Sequence, residues 1–188
     1  MDSTLDVISY SITWGSTGWV DDALKIFPDH GFVVVHNTLE ADQCQDVLQD
    51  CQQAAEKIVR PQGTGERGNR GPGRYSFGVA STTGGMLHLE NFSKHLLDSA
   101  CSKLHPLLDN IFRGGSRSGF VCTGGGGDFV LGDTASDQTI HSDLQVAESC
   151  DVRMPPPMLS INFTVQELTC MNGPTRMIPG SHCKDLTQ

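Results

Sequence analysis

The chain has 188 residues, 37% of them hydrophobic and only 19% charged, which is enough apolar material for one core and not comfortably for two. A net charge of -9 and a pI near 5.0 argue against a general affinity for nucleic acid or for anionic membrane surfaces, since both would repel the protein at long range. No segment approaches the apolar length that crosses a bilayer, and Met1 to Ser11 carries Asp2 and Asp6 with no Lys or Arg, unlike a signal peptide. The seven cysteines sit singly, with no Cys-x-x-Cys pair, so neither a disulfide framework nor a structural zinc site is expected, and a reducing, cytoplasmic setting fits best.

Residues 1–28 read as an N-terminal segment and 29–188 as one domain. Phe32 to Val35 reads as a short buried strand feeding a helix from Leu39 to about Val59, where Ala41, Cys44, Val47, Leu48, Cys51, Ala54, Ala55 and Ile58 recur at spacings of three and four. Thr38, or Asn37 before it, is placed to cap that helix. Arg60 to Arg74 is rich in Gly and Arg and reads as a loop; Arg67, Arg70 and Arg74 suit a solvated loop better than a grip on an anionic substrate. A second helix is expected from about Phe92 to Phe112, with Leu96, Leu97, Ala100, Cys101, Leu104, Leu107, Leu108 and Ile111 on one stripe. After Arg113 come short apolar runs, Gly119 to Thr123, Phe129 to Leu131, Gln138 to Leu144 and Met158 to Val165, each expected to be a strand. The last alternates, with Leu159, Ile161, Phe163 and Val165 on one face. Gly124 to Gly127 with Asp128 lacks the Lys and Ser or Thr of a phosphate-binding loop and reads as a flexible turn. Helices first and short strands afterwards make an α+β layout around a sandwich or barrel.

His141-Ser142-Asp143 places an imidazole and a carboxylate two residues apart on an expected strand, so both leave the same face and can converge on one ion. Such a pair supplies two of the three ligands of a 2-His-1-carboxylate iron(II) site. A triplet this short also arises by chance, and the bland reading is a surface strand with a local hydrogen bond. His88-Leu89-Glu90 has the same form, but Glu90 stands where the second helix begins, where capping explains it better.

What lifts the first pair is Asn172-Gly173-Pro174-Thr175-Arg176-Met177-Ile178-Pro179-Gly180-Ser181-His182. Together with the His-x-Asp strand and the strand between them, this segment resembles the phytanoyl-CoA dioxygenase family, and the Gly31 to Val35 strand with its following helix looks like that family's beginning. The resemblance spans about Asp29 to His182. It implies a double-stranded β-helix (a cupin-like jelly roll) with N-terminal helices packed on one side, in an enzyme that hydroxylates a small organic substrate with iron(II) and 2-oxoglutarate. By the same resemblance His141 and Asp143 would ligate the metal, and Gln138 and Thr175 would touch 2-oxoglutarate. For Thr175 a strand residue chosen for β propensity is at least as good a reading, and Gln138 stands even. His182 belongs to the Pro-Gly-Ser-His turn and is expected to be structural. The family's third ligand and its 2-oxoglutarate-anchoring Arg lie farther along than Gln188, so the resemblance implies a chain cut off before its later strands, with little turnover of its own. A non-catalytic chain that binds metal weakly or serves a protein partner is the alternative, and a zinc-binding cupin-like hydrolase or isomerase is a third. Substrate identity and oligomeric state stay open.

Overall fold

The computed structural model describes residues 7–62, 73–78, 92–113, 119–122, 125–130, 138–143, 155–169, 172 and 174–183. A 3-10 turn, Val7–Tyr10, leads into β1 (Ser11–Thr13), which pairs in parallel with β2 (Val34–His36) in the register Ser11 to Val34 and Thr13 to His36. Parallel neighbours need a crossover, and α1 (Trp19–His30) supplies it. Val20, Ala23, Leu24 and Phe27 recur along α1 at helical spacing, and Ala23 and Phe27 are buried. Asp21 and Asp22 favour the first turn through the helix dipole. The helix ends on Gly31, whose φ of 81° only glycine adopts without strain, and whose N–H donates to the Phe27 carbonyl at 2.8 Å. This β1–α1–β2 unit lies largely in the stretch to which sequence analysis gives no element.

The two long helices stand where the periodicity puts them, with shifted ends. The first, α2 (Ala41–Gln62), is capped by neither Thr38 nor Asn37. Asn37 takes a φ of 61° to turn the chain out of β2, and the Thr38 hydroxyl donates to the Val35 carbonyl. Glu40 stands in the cap position instead: its N–H donates to Gln43 Oε1 at 2.9 Å, one half of a capping box, and its carbonyl receives the Cys44 N–H. The second helix has two parts, a π-helical segment Phe92–Ala100 followed by α3 (Cys101–Ile111). Ala100 has helical φ and ψ, so the chain passes from one to the other without a break.

β3 (Arg74–Gly78) pairs antiparallel with β4 (Gly126–Val130), Tyr75 opposite Phe129. Gly126 to Asp128 and Arg74 are therefore strand residues, not turn and loop. Glycines with no side chain to protrude are tolerated because the ladder supplies the order that composition withholds. The strands expected at Gln138 to Leu144 and Met158 to Val165 do not appear as such: the described parts of both have no regular secondary structure. A strand is defined by its partner, and among the described residues nothing pairs with them. The alternation in 159–165 nonetheless holds. Leu159, Ile161, Phe163 and Val165 are half-buried, while Ser160, Asn162 and Thr164 are exposed.

Two apolar clusters hold these parts together. In one, Ala23 and Phe27 of α1 meet Leu107 and Ile111 of α3, with Ile12, Val33, Val35 and Leu159 against them. In the other, Val47 of α2 meets Leu96, with Leu39, Cys51, Ala54, Phe163 and Val165 around them. Each fully buried aliphatic side chain contributes on the order of 1.5–3 kcal/mol. Lys103 links the layers: its ammonium donates to the Thr38 carbonyl at 2.8 Å and lies 4.7 Å from the centre of the Trp14 ring, whose indole N–H donates back to the Lys103 carbonyl. The architecture is α+β. No helix among the described residues is long and apolar enough to cross a membrane.

Candidate metal centre

His141 and Asp143 lie side by side, with Nε2 of the imidazole 3.5 Å from Oδ1 of the carboxylate. The His141 Nδ1 is 2.7 Å from the Thr139 carbonyl. A carbonyl can only accept, so Nδ1 carries the proton, and in the neutral ring the lone pair sits on Nε2, facing the carboxylate. Two electron-rich atoms then face each other across a gap too wide for a good direct hydrogen bond. A divalent cation placed between them would find one nitrogen and one oxygen donor. Imidazole and carboxylate are donors that suit iron(II), and a backbone carbonyl on the far ring nitrogen is the usual second partner that orients a metal-binding histidine.

The pair is open to solvent, at 51% exposure for His141 and 65% for Asp143, rather than enclosed between strands. Openness leaves room for further ligands on the outer side and does nothing to exclude water. Among the described residues no third His, Cys, Asp or Glu joins them in a metal-binding group. The rival His88-Leu89-Glu90, together with Arg67 and Arg70, lies outside the described residues.

Gln138 stands at the start of the same segment, exposed, and its carbonyl accepts a hydrogen bond from Arg176 Nη2 at 3.2 Å. Thr175, next to Arg176, is exposed too. That one contact brings the two segments carrying the four expected site residues together across 38 positions of sequence. Arg176 is the residue that motif reading passed over; its only signal was a guanidinium beside a turn, and its partner is a backbone atom, which no side-chain pattern announces.

At the start of the motif Asn172 ties the chain back to the residues ahead of it, its Oδ1 accepting the Thr169 N–H at 2.8 Å and its Nδ2 donating to the Glu167 carbonyl. The Pro-Gly-Ser-His turn docks on the end of α1: the Gly180 N–H donates to the His30 carbonyl at 3.0 Å, and His182 Nε2 donates to the Pro28 carbonyl at 2.9 Å. His182 is held there as a clasp rather than turned toward His141. A separate open groove of about 280 Å3 runs between Ala41, Cys44 and Gln45 of α2 and Thr164 to Glu167, and none of the four expected site residues lines it.

In comparisons with known proteins, the family model for phytanoyl-CoA dioxygenase (PhyH) matches residues 27–188. No curated protein and no solved structure matches the chain.

Proposed function

The chain belongs to the phytanoyl-CoA dioxygenase family, and from that membership we propose that it works as an iron(II)- and 2-oxoglutarate-dependent hydroxylase of a small organic substrate, with His141 and Asp143 as metal ligands. The observation that carries the reading is the 3.5 Å approach of His141 Nε2 to Asp143 Oδ1, with the imidazole proton committed to Thr139 on the other side. Family members in general are dioxygenases of this type, and a cupin-like jelly roll is the fold the family implies for the full arrangement of strands.

Iron, when bound with 2-oxoglutarate, supplies the activation of oxygen that carbon hydroxylation requires. The protein's own share begins with His141, which offers Nε2 in a fixed orientation because Nδ1 is tied to the Thr139 carbonyl. Asp143 brings a carboxylate oxygen, a donor that suits a divalent cation beside an imidazole. Arg176 holds the 138–143 segment against the 174–178 segment through the Gln138 carbonyl. Gln138 and Thr175 then stand at the junction, where the reading gives them a hydrogen-bonding role toward 2-oxoglutarate.

Iron-dependent retention of 2-oxoglutarate tests this. In anaerobic equilibrium dialysis, the protein should retain 2-oxoglutarate when iron(II) is present and lose that retention in His141→Ala and Asp143→Ala. Retention that ignores iron, or that survives both substitutions, overturns the reading. A second reading, a chain that binds metal weakly without turnover, is favoured by the exposure of the pair and by the lack of a third ligand among the described residues. Iron binding without any effect of iron on 2-oxoglutarate would select it.

A further inference from the structure

The first turns of α2 and the chain at Thr164 to Glu167 leave an open groove of about 280 Å3 between them. Ala41, Cys44 and Gln45 form the helical wall, at spacings that share one helix face, and Thr164, Val165, Gln166 and Glu167 form the other. That volume is below the roughly 300–1,000 Å3 of sites that enclose a small molecule.

The second wall is built like the edge of a strand. Burial alternates along Leu159 to Val165 with the period of an extended chain, and the segment bends at Gln166. Among the described residues, the backbone N–H and C=O groups of Leu159 to Gln166 meet no hydrogen-bond partner. Such an edge beside a groove accepts an added strand, with alternate side chains of the newcomer turned into the groove.

Charge selects the newcomer. Glu167 lines the groove, and no Lys or Arg does. The Cys44 thiol on the helical wall is held above its ordinary range by burial first, then by the charges of Asp42 and Glu40, so the acidic start of α2 is felt there. Lys103, 3.7 Å from Glu40, offsets part of that field, while Asp42 stands exposed. The net charge of -9 adds an attraction for cations at long range.

We propose that this groove binds a short extended segment of a basic protein partner, which adds a strand along Asn162 to Val165, sets a small apolar side chain against Ala41 and Val165, and carries a Lys or Arg to Glu167. About four residues fill it, since three steps of extended chain span roughly 10 Å. None of the four expected site residues lines the groove, so this binding stands apart from the iron chemistry.

The test titrates the full chain into the peptide Lys-Thr-Val-Thr-Lys, carrying fluorescein at its N-terminus and an amide at the other end; its side chains read the same in either strand direction. Fluorescence anisotropy should show saturable binding to the wild type. Glu167→Lys should weaken it roughly 3- to 10-fold, as a cross-strand attraction becomes a repulsion, and Ala41→Trp should abolish it by filling the groove from an exposed position. Glu56→Lys makes the same charge change about 16 Å farther along α2 and should bind like the wild type. Amide groups alternate sides along a strand, so N-methylation of the second and fourth residues, or of the third and fifth, should abolish binding in one case only. No binding to the wild type, equal loss in Glu167→Lys and Glu56→Lys, N-methylated peptides that behave alike, or equal binding of Glu-Thr-Val-Thr-Glu would each overturn the proposal. Self-association of the wild type that Ala41→Trp abolishes, read by light scattering, would assign the groove to a second copy and overturn it too.

Discussion

At Gly31 two demands meet in one residue: the backbone needs a φ of 81°, and a Cβ built there would lie 2.5 Å from His182 Nδ1. Gly31→Ala should therefore cost about 2 kcal/mol or more, part from the left-handed backbone and part from displacing the His182 ring and its bond to Pro28. Removing the ring relieves only the second part. In a His182→Gly background, which removes the Cβ at 2.9 Å together with the ring, the same substitution should cost about 1 kcal/mol, measured by urea unfolding, and additive costs would contradict the clasp. Reading the motif identified the turn that carries His182, but not its partner 151 positions earlier (182 − 31), because contact between distant turns leaves no local pattern. Half-buried thiols give a second prediction. Cys51 is pushed above its ordinary value of 9.0, first by burial and then by the Asp50 charge, and Cys101 likewise by burial and by Cys122. Since the folded state holds these protons more tightly than the unfolded one, their contribution to stability is complete below pH 9.0 and is lost as pH rises through the folded values. Unfolding free energy should fall above that pH, and less steeply in Cys51→Ala; an unchanged slope would show that the thiol does not titrate differently on folding.

Among the elements, the 159–165 segment separates what a pattern can show from what it cannot. Alternation of Leu159, Ile161, Phe163 and Val165 announced an inward face, and the same residues are the half-buried ones. The ladder expected of a strand is not formed among the described residues, since pairing depends on a partner's backbone, and here the inward face lies on helices: Phe163 and Val165 on Val47 and Leu96, Leu159 on the α1–α3 cluster. Phe163→Ala should accordingly destabilise by about 2 kcal/mol, less than a fully buried Phe, while Asn162→Ala should stay within about 0.5 kcal/mol. Equal effects in urea unfolding would mean that the segment is not docked. The opposite failure occurs at α1. Residues 1–28 read as a segment without an element, although Val20, Ala23, Leu24 and Phe27 recur there at helical spacing. Pro28 sits in the last turn, and Gly31 is the cap, so both end the helix rather than prevent it. At β4 the glycines misled in the same way, because strand order there comes from Arg74–Gly78 across the ladder.

For the molecule as a whole, the family and the α+β class could be read from two motif segments and two amphipathic stripes, and the chain matches its family over residues 27–188. The site was legible to the extent that chemistry is local. His141 and Asp143, two residues apart, are 3.5 Å apart in space. What joins Gln138 to the distant motif is a guanidinium on a carbonyl, and what surrounds the pair depends on the packing of whole segments, neither of which a short spacing encodes. Everything proposed about catalysis rests on that pair binding a metal together. The most direct measurement is anaerobic calorimetric titration of the full chain with iron(II), beside His141→Ala, Asp143→Ala and, as a surface control, His105→Ala, whose ring pairs with Asp109 on the exposed side of α3. Each of the first two substitutions should weaken iron(II) by more than ~10-fold, since even partners that only orient a ligand are worth about 10 to 100-fold, and the control should bind like the wild type. Equal iron affinity in all four proteins would contradict the assignment.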